Sequence, residues 1–218
     1  SFTAGRARDG SAATSSGTVG YWGEGYNGSS DVNQTDLYTF SGDTVSTGTN
    51  QSYSGRYVGA AGNSTVGIWA GAFSSGVTSK YTYSGDSVAT GTSITREGFF
   101  TIAAGNATVG IWAGSYNGGA GTKVTGKYTY SGDTTANGTD MTYTHMHGAA
   151  CATSTVGYYN GDSASATTTD KYTFSGDTNA AGTSLTYGCY TGAAACDPYT
   201  GIFAVGATGS YNATKYTF

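Results

Sequence analysis

Proline occurs once, at Pro198, and charged side chains make up only 10% of the 218 residues. A single Pro excludes a polyproline stalk or a collagen-like strand, because both need that residue at short intervals. Nine Lys and Arg against thirteen Asp and Glu leave a formal charge of −4, with the cations scattered along the chain. No basic stripe is available to neutralise phosphates, so nucleic acid is not an expected partner. No apolar run approaches the ~18 residues that cross a bilayer as a helix, so membrane insertion is not expected either. There is no visible signal peptide and no helical 3.6-residue period. Ser1 falls inside a repeat, which fits a mature or trimmed chain.

In place of these features stand 37 Gly and 19 Tyr, with abundant Thr and Ser. Such a composition could describe a low-complexity tail, but its order argues otherwise. Aromatic and β-branched residues make short alternating runs such as "KYTY" at Lys80–Tyr83 and "TVGIW" at Thr65–Trp69. Runs of that kind supply the apolar surface that disordered chains lack. The expectation is one folded, all-β domain spanning 1–218.

One phrase recurs. "YTFSGD" at Tyr38–Asp43 returns at Tyr81, Tyr128 and Tyr172, and "KYTF" closes the chain at Lys215–Phe218. From Tyr38, Tyr81, Tyr128, Tyr172 and Tyr216 the spacings are 43, 47, 44 and 44 residues. The repeats are approximately 1–43, 44–86, 87–133, 134–177 and 178–218. The second shows four strand-like pieces, "GRYVGAAG", "TVGIWAG", "SKYTYSG" and "SVATGTS", separated by hairpin-length turns at Gly62-Asn63, Ser74-Ser75-Gly76 and Ser84-Gly85-Asp86. Four short antiparallel strands per repeat of roughly 40–50 residues point to a propeller blade. Five such units predict a five-bladed β-propeller. The small residues of Gly59–Gly62, Ala103–Gly105, Gly148–Ala150 and Gly192–Ala195 suit the narrow centre. Bulky Trp22, Trp69, Trp112, Tyr159 and Phe203 fall in the second strand, where the wedge widens between blades. The phase leaves the last blade one outer strand short, with "SF" at Ser1-Phe2 matching the tail of that strand.

The unit resembles a kelch repeat. It has Arg near the start of the innermost strand at Arg8 and Arg56, with Arg96 close to it, then small residues, then an aromatic followed by a Gly pair. The pair stands as Ala70-Gly71, Ala113-Gly114, Asn160-Gly161 and Val205-Gly206. Where kelch repeats carry Trp seven residues after the Tyr, this chain has Val45, Val88, Thr135 and Asn179. The resemblance implies the blade architecture and not membership of the intracellular adaptor branch. The wording is also similar to tandem "GNSTVGIWAG…KYTYSGDTV" arrays in proteins of environmental bacteria and their phages.

Candidate chemistry is sparse. Asp43, Asp86, Asp133 and Asp177 occupy the same turn in successive repeats, an arrangement that suits turn shaping through Asx-type bonding and not a catalytic carboxylate pair. Asp9 and Glu97 are the acids expected near the axis. His145-x-His147 would share one face of a strand and fill the channel mouth, and two ligands do not make a metal site. Of three cysteines, Cys151 and Cys196 sit at matching ends of neighbouring inner strands and are the pair that could form a disulfide, which would leave Cys189 free. Seven Asn-x-Ser/Thr sequons, at Asn27, Asn33, Asn50, Asn63, Asn106, Asn137 and Asn212, are candidate glycosylation sites or structural turns.

No catalytic residue, metal or cofactor is expected. Catalysis needs one blade to differ sharply, whereas these repeats are alike. The expected function is an extracellular structural or adhesive module of a filament, surface appendage or virion fibre, acting through self-association or a surface partner. The alternative is a lectin-like binder with glycan pockets between blades lined by Tyr and Trp. A five-bladed glycoside hydrolase ranks third.

Overall fold

The computed structural model describes residues 8–72, 76–95, 98–162, 166–190, 192–207 and 210–217. Ser1-Phe2, Ser74-Ser75, Arg96, Glu97 and Phe218 lie outside the described residues. The chain is all-β, with five small antiparallel sheets arranged in a ring as a five-bladed propeller.

Blade 1 comprises β1 (Ala12–Ser15), β2 (Val19–Gly23), β3 (Thr35–Thr39) and β4 (Thr44–Gly48). Blade 2 comprises β5 (Gly59–Gly62), β6 (Val66–Ala70), β7 (Thr78–Thr82) and β8 (Ser87–Gly91). Blade 3 contains β9 (Ile102–Gly105) and β10 (Val109–Ala113), a small hairpin of β11 (Tyr116–Asn117) and β12 (Ala120–Gly121), then β13 (Thr125–Thr129) and β14 (Thr134–Asn137). Blade 4 is β15 (Ala149–Ala152), β16 (Val156–Asn160), β17 (Thr169–Thr173) and β18 (Thr178–Ala181). Blade 5, among the described residues, has three strands: β19 (Ala193–Cys196), β20 (Thr200–Ala207) and β21 (Ser210–Thr217). Strands within each sheet pair in chain order, and residues from all five first strands line the axial channel.

Each first strand is shorter than its sequence suggests. "GRYVGAAG" contributes only Gly59–Gly62, because Tyr57 takes a left-handed backbone (φ 59°) that ends the extended run. β19 is likewise only Ala193–Cys196, so Cys189 shares no strand with Cys196.

The second-strand aromatics hold the blades together. The Trp69 indole donates to Ala12 O of blade 1 at 3.0 Å, and that of Trp112 to Gly59 O of blade 2 at 3.0 Å. The Tyr159 hydroxyl reaches Ala104 O at 3.2 Å and Ile111 O at 3.1 Å, both in blade 3. Phe203, with no polar atom, packs beside Tyr158 and Cys151 of blade 4. Each ring thus removes a large apolar area from water, and those of Trp69, Trp112 and Tyr159 also satisfy a carbonyl of the preceding blade.

The recurrent Tyr and Asp form a second bond between blades. A short 3-10 turn ends with Asp86 in the left-handed region (φ 44°), and Asp43, Asp133 and Asp177 repeat that conformation. In each of these blades the Tyr hydroxyl donates to the Asp five residues later, as in Tyr81 to Asp86 and Tyr128 to Asp133. The Asp86 carboxylate also accepts the Thr49 N–H of blade 1 at 3.0 Å, and Asp177 that of Thr139 at 3.2 Å. Lys80 and Lys127 reach Asp133 and Asp177 of the following blade at 3.3 and 3.2 Å. Asp86, Asp133 and Asp177 therefore clasp the preceding blade instead of closing an Asx turn of their own hairpin.

One seam differs. The faces that blade 5 and blade 1 turn to each other expose Ile202 (53%) and Phe40 (48%), although the equivalent Ile68, Ile111, Tyr130 and Phe174 are buried at the other interfaces. Ala13, Ala193 and Ala195 are exposed there too, and Trp22 is only half-buried.

Candidate functional site

The two rims of the propeller are built differently. One carries the short repeated turns. At Asn63 the side-chain Oδ1 accepts the N–H groups of Thr65 and Val66 at 2.8 and 3.0 Å, and Asn106 does the same for Thr108 and Val109. These are Asx turns with ordinary φ, so positive φ at Gly-Asn plays no part. Each Nδ2 then donates to the next blade, Asn63 to Ala107 O at 3.0 Å and Asn106 to Ser154 O at 3.1 Å. A glycan on either nitrogen would compete with that hydrogen bond. Asn33 Nδ2 is used similarly on Gln51 O, Asn212 is half-buried on β21, and Asn27, Asn50 and Asn137 are exposed.

The opposite rim is where the blades diverge. It is formed by the segments that lead into each first strand and by the loops joining second to third strands. Isolated bridges tie them together: Asp9 with Tyr26, Val32 with Gly55, Phe99 with Tyr116, and Thr122 with His145. Two residues before the first strand stand Gly10, Tyr57, Phe100 and His147, all left-handed, at φ 66, 59, 60 and 52°. Thr191, at that position in blade 5, lies outside the described residues. A β carbon at Gly10 would meet Tyr57 Cδ1 at 2.6 Å, so the Tyr57 ring lies across blade 1. Three non-Gly residues in this region carry a conformational cost of about 1 kcal/mol or more each, a feature that clusters at binding sites.

The strained residues put their rings around the channel mouth. Tyr57 and Phe100 have centroids 4.2 Å apart, Phe100 and His147 3.3 Å, and His147 and Tyr190 4.8 Å. All four are half-buried. Asp9 stands exposed at the edge and accepts the Tyr57 hydroxyl at 3.1 Å. Arg56 pairs with Asp31 at 3.3 Å and lies 4.4 Å from the Tyr26 ring centroid. Burial lowers the His147 imidazole below its ordinary value. A cavity of about 250 Å³ lies between these rings and Thr101, Ile102 and Gly148 of the channel wall. Its chemistry is aromatic, with one carboxylate and an imidazole that burial disfavours as a cation, and is suited to recognition by stacking and hydrogen bonding.

The two histidines part company. They precede β15, and the left-handed turn at His147 sends the rings apart, so only His147 reaches the mouth. His145 is fully buried, with Nε2 2.8 Å from Asp170 Oδ2 and Nδ1 3.0 Å from Gly161 O. Burial pushes the Asp170 carboxyl up, but hydrogen bonds from His145, Asn179 and the N–H groups of Tyr143 and Thr142 outweigh it and hold the group at about 2. Arg8 and Asp36 form the equivalent pair in blade 1. Arg8 lies four residues before β1 and Arg56 three before β5, so these two arginines are not equivalent: one braces a blade and the other decorates the rim. Among the described residues no group of three or more His, Cys, Asp or Glu is placed to hold a metal ion.

Of the acids expected near the axis, Asp9 is at the mouth and Glu97 is outside the described residues. Sequence reasoning missed Glu24, Tyr57, Phe100 and Tyr190. The available signal was position: each sits where its blade departs from the common wording, next to the first strand or the Gly pair. Glu24 occupies the left-handed site (φ 61°) that Gly71, Gly114 and Gly161 fill in other blades. It is fully buried between blades 1 and 2, and among the described residues neither carboxylate oxygen has a hydrogen-bond partner. Trp69, Trp112, Tyr159 and Phe203 are buried too and offer no face to a ligand.

No protein-family model matches the chain, and no curated protein matches its sequence. Among solved structures 237 chains match. One is the structure of YjhT, with a TM-score of 0.75 and 8% identity over 96% of this chain and 80% of that one. At that identity the likeness concerns architecture alone, and it agrees with the sheets described above: the chain is a five-bladed β-propeller.

Proposed function

We propose that this chain is a non-enzymatic, extracellular structural module that assembles with further copies of its own kind through the seam between blades 5 and 1. The exposure of Ile202 and Phe40 carries this reading. Interfaces inside the chain bury the equivalent Ile68, Ile111, Tyr130 and Phe174, and the seam offers both halves of that packing to a partner. A face from one blade meeting a different face from another is a heterologous contact, which extends into rings or filaments. The low charge and the interblade clasps suit a durable building block. We also read the blades as kelch-like, with Gly71, Gly114 and Gly161 as the second glycine of the pair.

Light scattering across a concentration series, with electron microscopy, tests the proposal. Concentration-dependent multimers or fibres are expected, and Phe40→Asp or Ile202→Asp should abolish them while leaving the circular dichroism spectrum unchanged. A wild-type chain that stays monomeric at every concentration rejects it.

The channel mouth favours a second reading, a glycan-binding propeller in which Tyr57 and Phe100 stack on a sugar and Asp9 takes its hydroxyls. Glycan-array binding lost in Phe100→Ala and Asp9→Asn, with assembly intact, would select this reading. Retained binding in both variants would exclude the mouth.

A further inference from the structure

Cys151 is the third residue of β15 and Cys196 the fourth of β19, on neighbouring inner strands of blades 4 and 5. Their register equivalents at the first interface are Thr14, opposite Tyr21, and Gly62, opposite Gly67. Cys151 likewise stands opposite Tyr158 and Cys196 opposite Gly201. A β carbon at Gly62 lies 2.7 Å from Thr14 Oγ1. That is close to the ~3 Å separating one sulfur from the β carbon of the other cysteine in a disulfide. Interblade geometry thus brings a γ atom on one blade against a β carbon on the next, and at the fourth interface both residues are cysteine. Cys196 Sγ donates across the interface to Ala152 O, the backbone carbonyl next to Cys151, at 3.0 Å.

We propose that Cys151 and Cys196 are a thiol–disulfide site that joins blade 5 covalently to blade 4. The half-buried Cys196 is the entry point and Cys151 the buried resolving thiol. The influence of each thiol on the other pushes Cys151 up and lowers Cys196, so Cys196 ionises first. The oxidant is a small-molecule disulfide. The Cys196 thiolate attacks one of its sulfurs, forming a mixed disulfide and expelling a thiolate that takes up a proton. Cys151 then loses its proton and attacks Cys196 Sγ, expelling the second small thiol. Two protein S–H bonds become one S–S bond, and the oxidant is reduced to two thiols. Cys189 is buried off the strand beside Gly192 and takes no part.

The test is incubation of the native full chain with oxidised glutathione, followed by thiol counting in denaturant and mass-spectrometric mapping. The three thiols should fall to one, with a Cys151–Cys196 linked peptide and a mass loss of two hydrogens. Cys189→Ser should end with no thiol. Cys151→Ser and Cys196→Ser should form no intramolecular bridge. Oxidation should raise Tm by roughly 5–10 °C in the wild type and in Cys189→Ser, and not in the other two variants. Three thiols persisting in the wild type, or a bridge that includes Cys189, would overturn the proposal.

Discussion

The Thr92 N–H, at the outer edge of blade 2, donates to Asp133 Oδ1 of blade 3 at 3.0 Å, and the Thr92 hydroxyl donates to Asp133 O at 2.6 Å. The same carboxylate takes the Tyr128 hydroxyl and the Lys80 ammonium. One side chain thus gathers donors from two blades, and this explains why Tyr and Asp are written together in the second, third and fourth repeats.

Removing that acceptor should cost more than removing any one donor. Asp133→Ala should lose about 2 kcal/mol, because the buried Tyr128 hydroxyl is left without its acceptor, and Tyr128→Phe about 1 kcal/mol. Urea denaturation of both single variants and the double should show losses that do not add, with a coupling of at least ~0.5 kcal/mol. Asp43→Ala, at an exposed position of blade 1, should cost less than half as much as Asp133→Ala. Additive losses, or equal costs at Asp43 and Asp133, would remove the interblade clasp from the account.

A mismatch in the repeat gives the opposite sign. The Tyr83 hydroxyl meets Thr14 Oγ1 of the preceding blade at 3.3 Å. In the next interface the equivalent of Thr14 is Ala61, and the buried Tyr130 hydroxyl has no partner among the described residues. Blade 4 has Phe174 there, which needs none. Tyr130→Phe should therefore stabilise the protein by about 1 kcal/mol, and Tyr83→Phe should not, as read from urea midpoints. Ala61→Thr should recover part of the gain by supplying the acceptor. A loss of stability in Tyr130→Phe would show that the hydroxyl is satisfied.

What repeats was legible, and what differs was not. Trp69 and Trp112 could be placed between blades from sequence because a bulky residue recurring beside a Gly has only the interblade wedge to occupy. Five blades follow from five Tyr anchors. The mouth is formed instead by Tyr57, Phe100 and His147, which share no residue type. What they share is a left-handed backbone, which propensity does not assign to aromatic residues. That conformation also spoiled the strand reading of His145-x-His147: alternation holds only while the backbone stays extended. Asp170 and Asp36 escaped notice because their partners, His145 and Arg8, come from a segment far along the chain.

The His145–Asp170 pair should set the acid limb of stability. The folded carboxyl titrates at about 2, below the ~3.9 of an unfolded Asp. Its contribution is therefore full above about pH 4 and disappears as pH falls toward 2, amounting to about 2 kcal/mol. Urea midpoints measured from pH 6 to 2.5 should fall in the wild type more steeply than in Asp170→Asn, which starts lower because His145 loses its charged partner. Parallel curves would show that another group controls acid unfolding.

Glu24 predicts the reverse dependence. Burial pushes its carboxyl well above the usual range, and the nearby Tyr53 hydroxyl only partly offsets that, since it donates to Trp69 O at 3.1 Å. An unfolded Glu ionises near 4.3, so above that pH the unfolded chain releases a proton that the folded chain retains. Each further unit then costs up to ~1.4 kcal/mol until the folded carboxyl ionises as well. Glu24→Gln keeps the shape, forms no buried charge and removes this dependence. The variant and the wild type should have similar stability near pH 4, and the variant should gain on the wild type as the pH rises from there, as measured by urea midpoints at each pH. A difference that stays constant with pH would mean that Glu24 ionises alike in both states and that its burial is relieved by a partner.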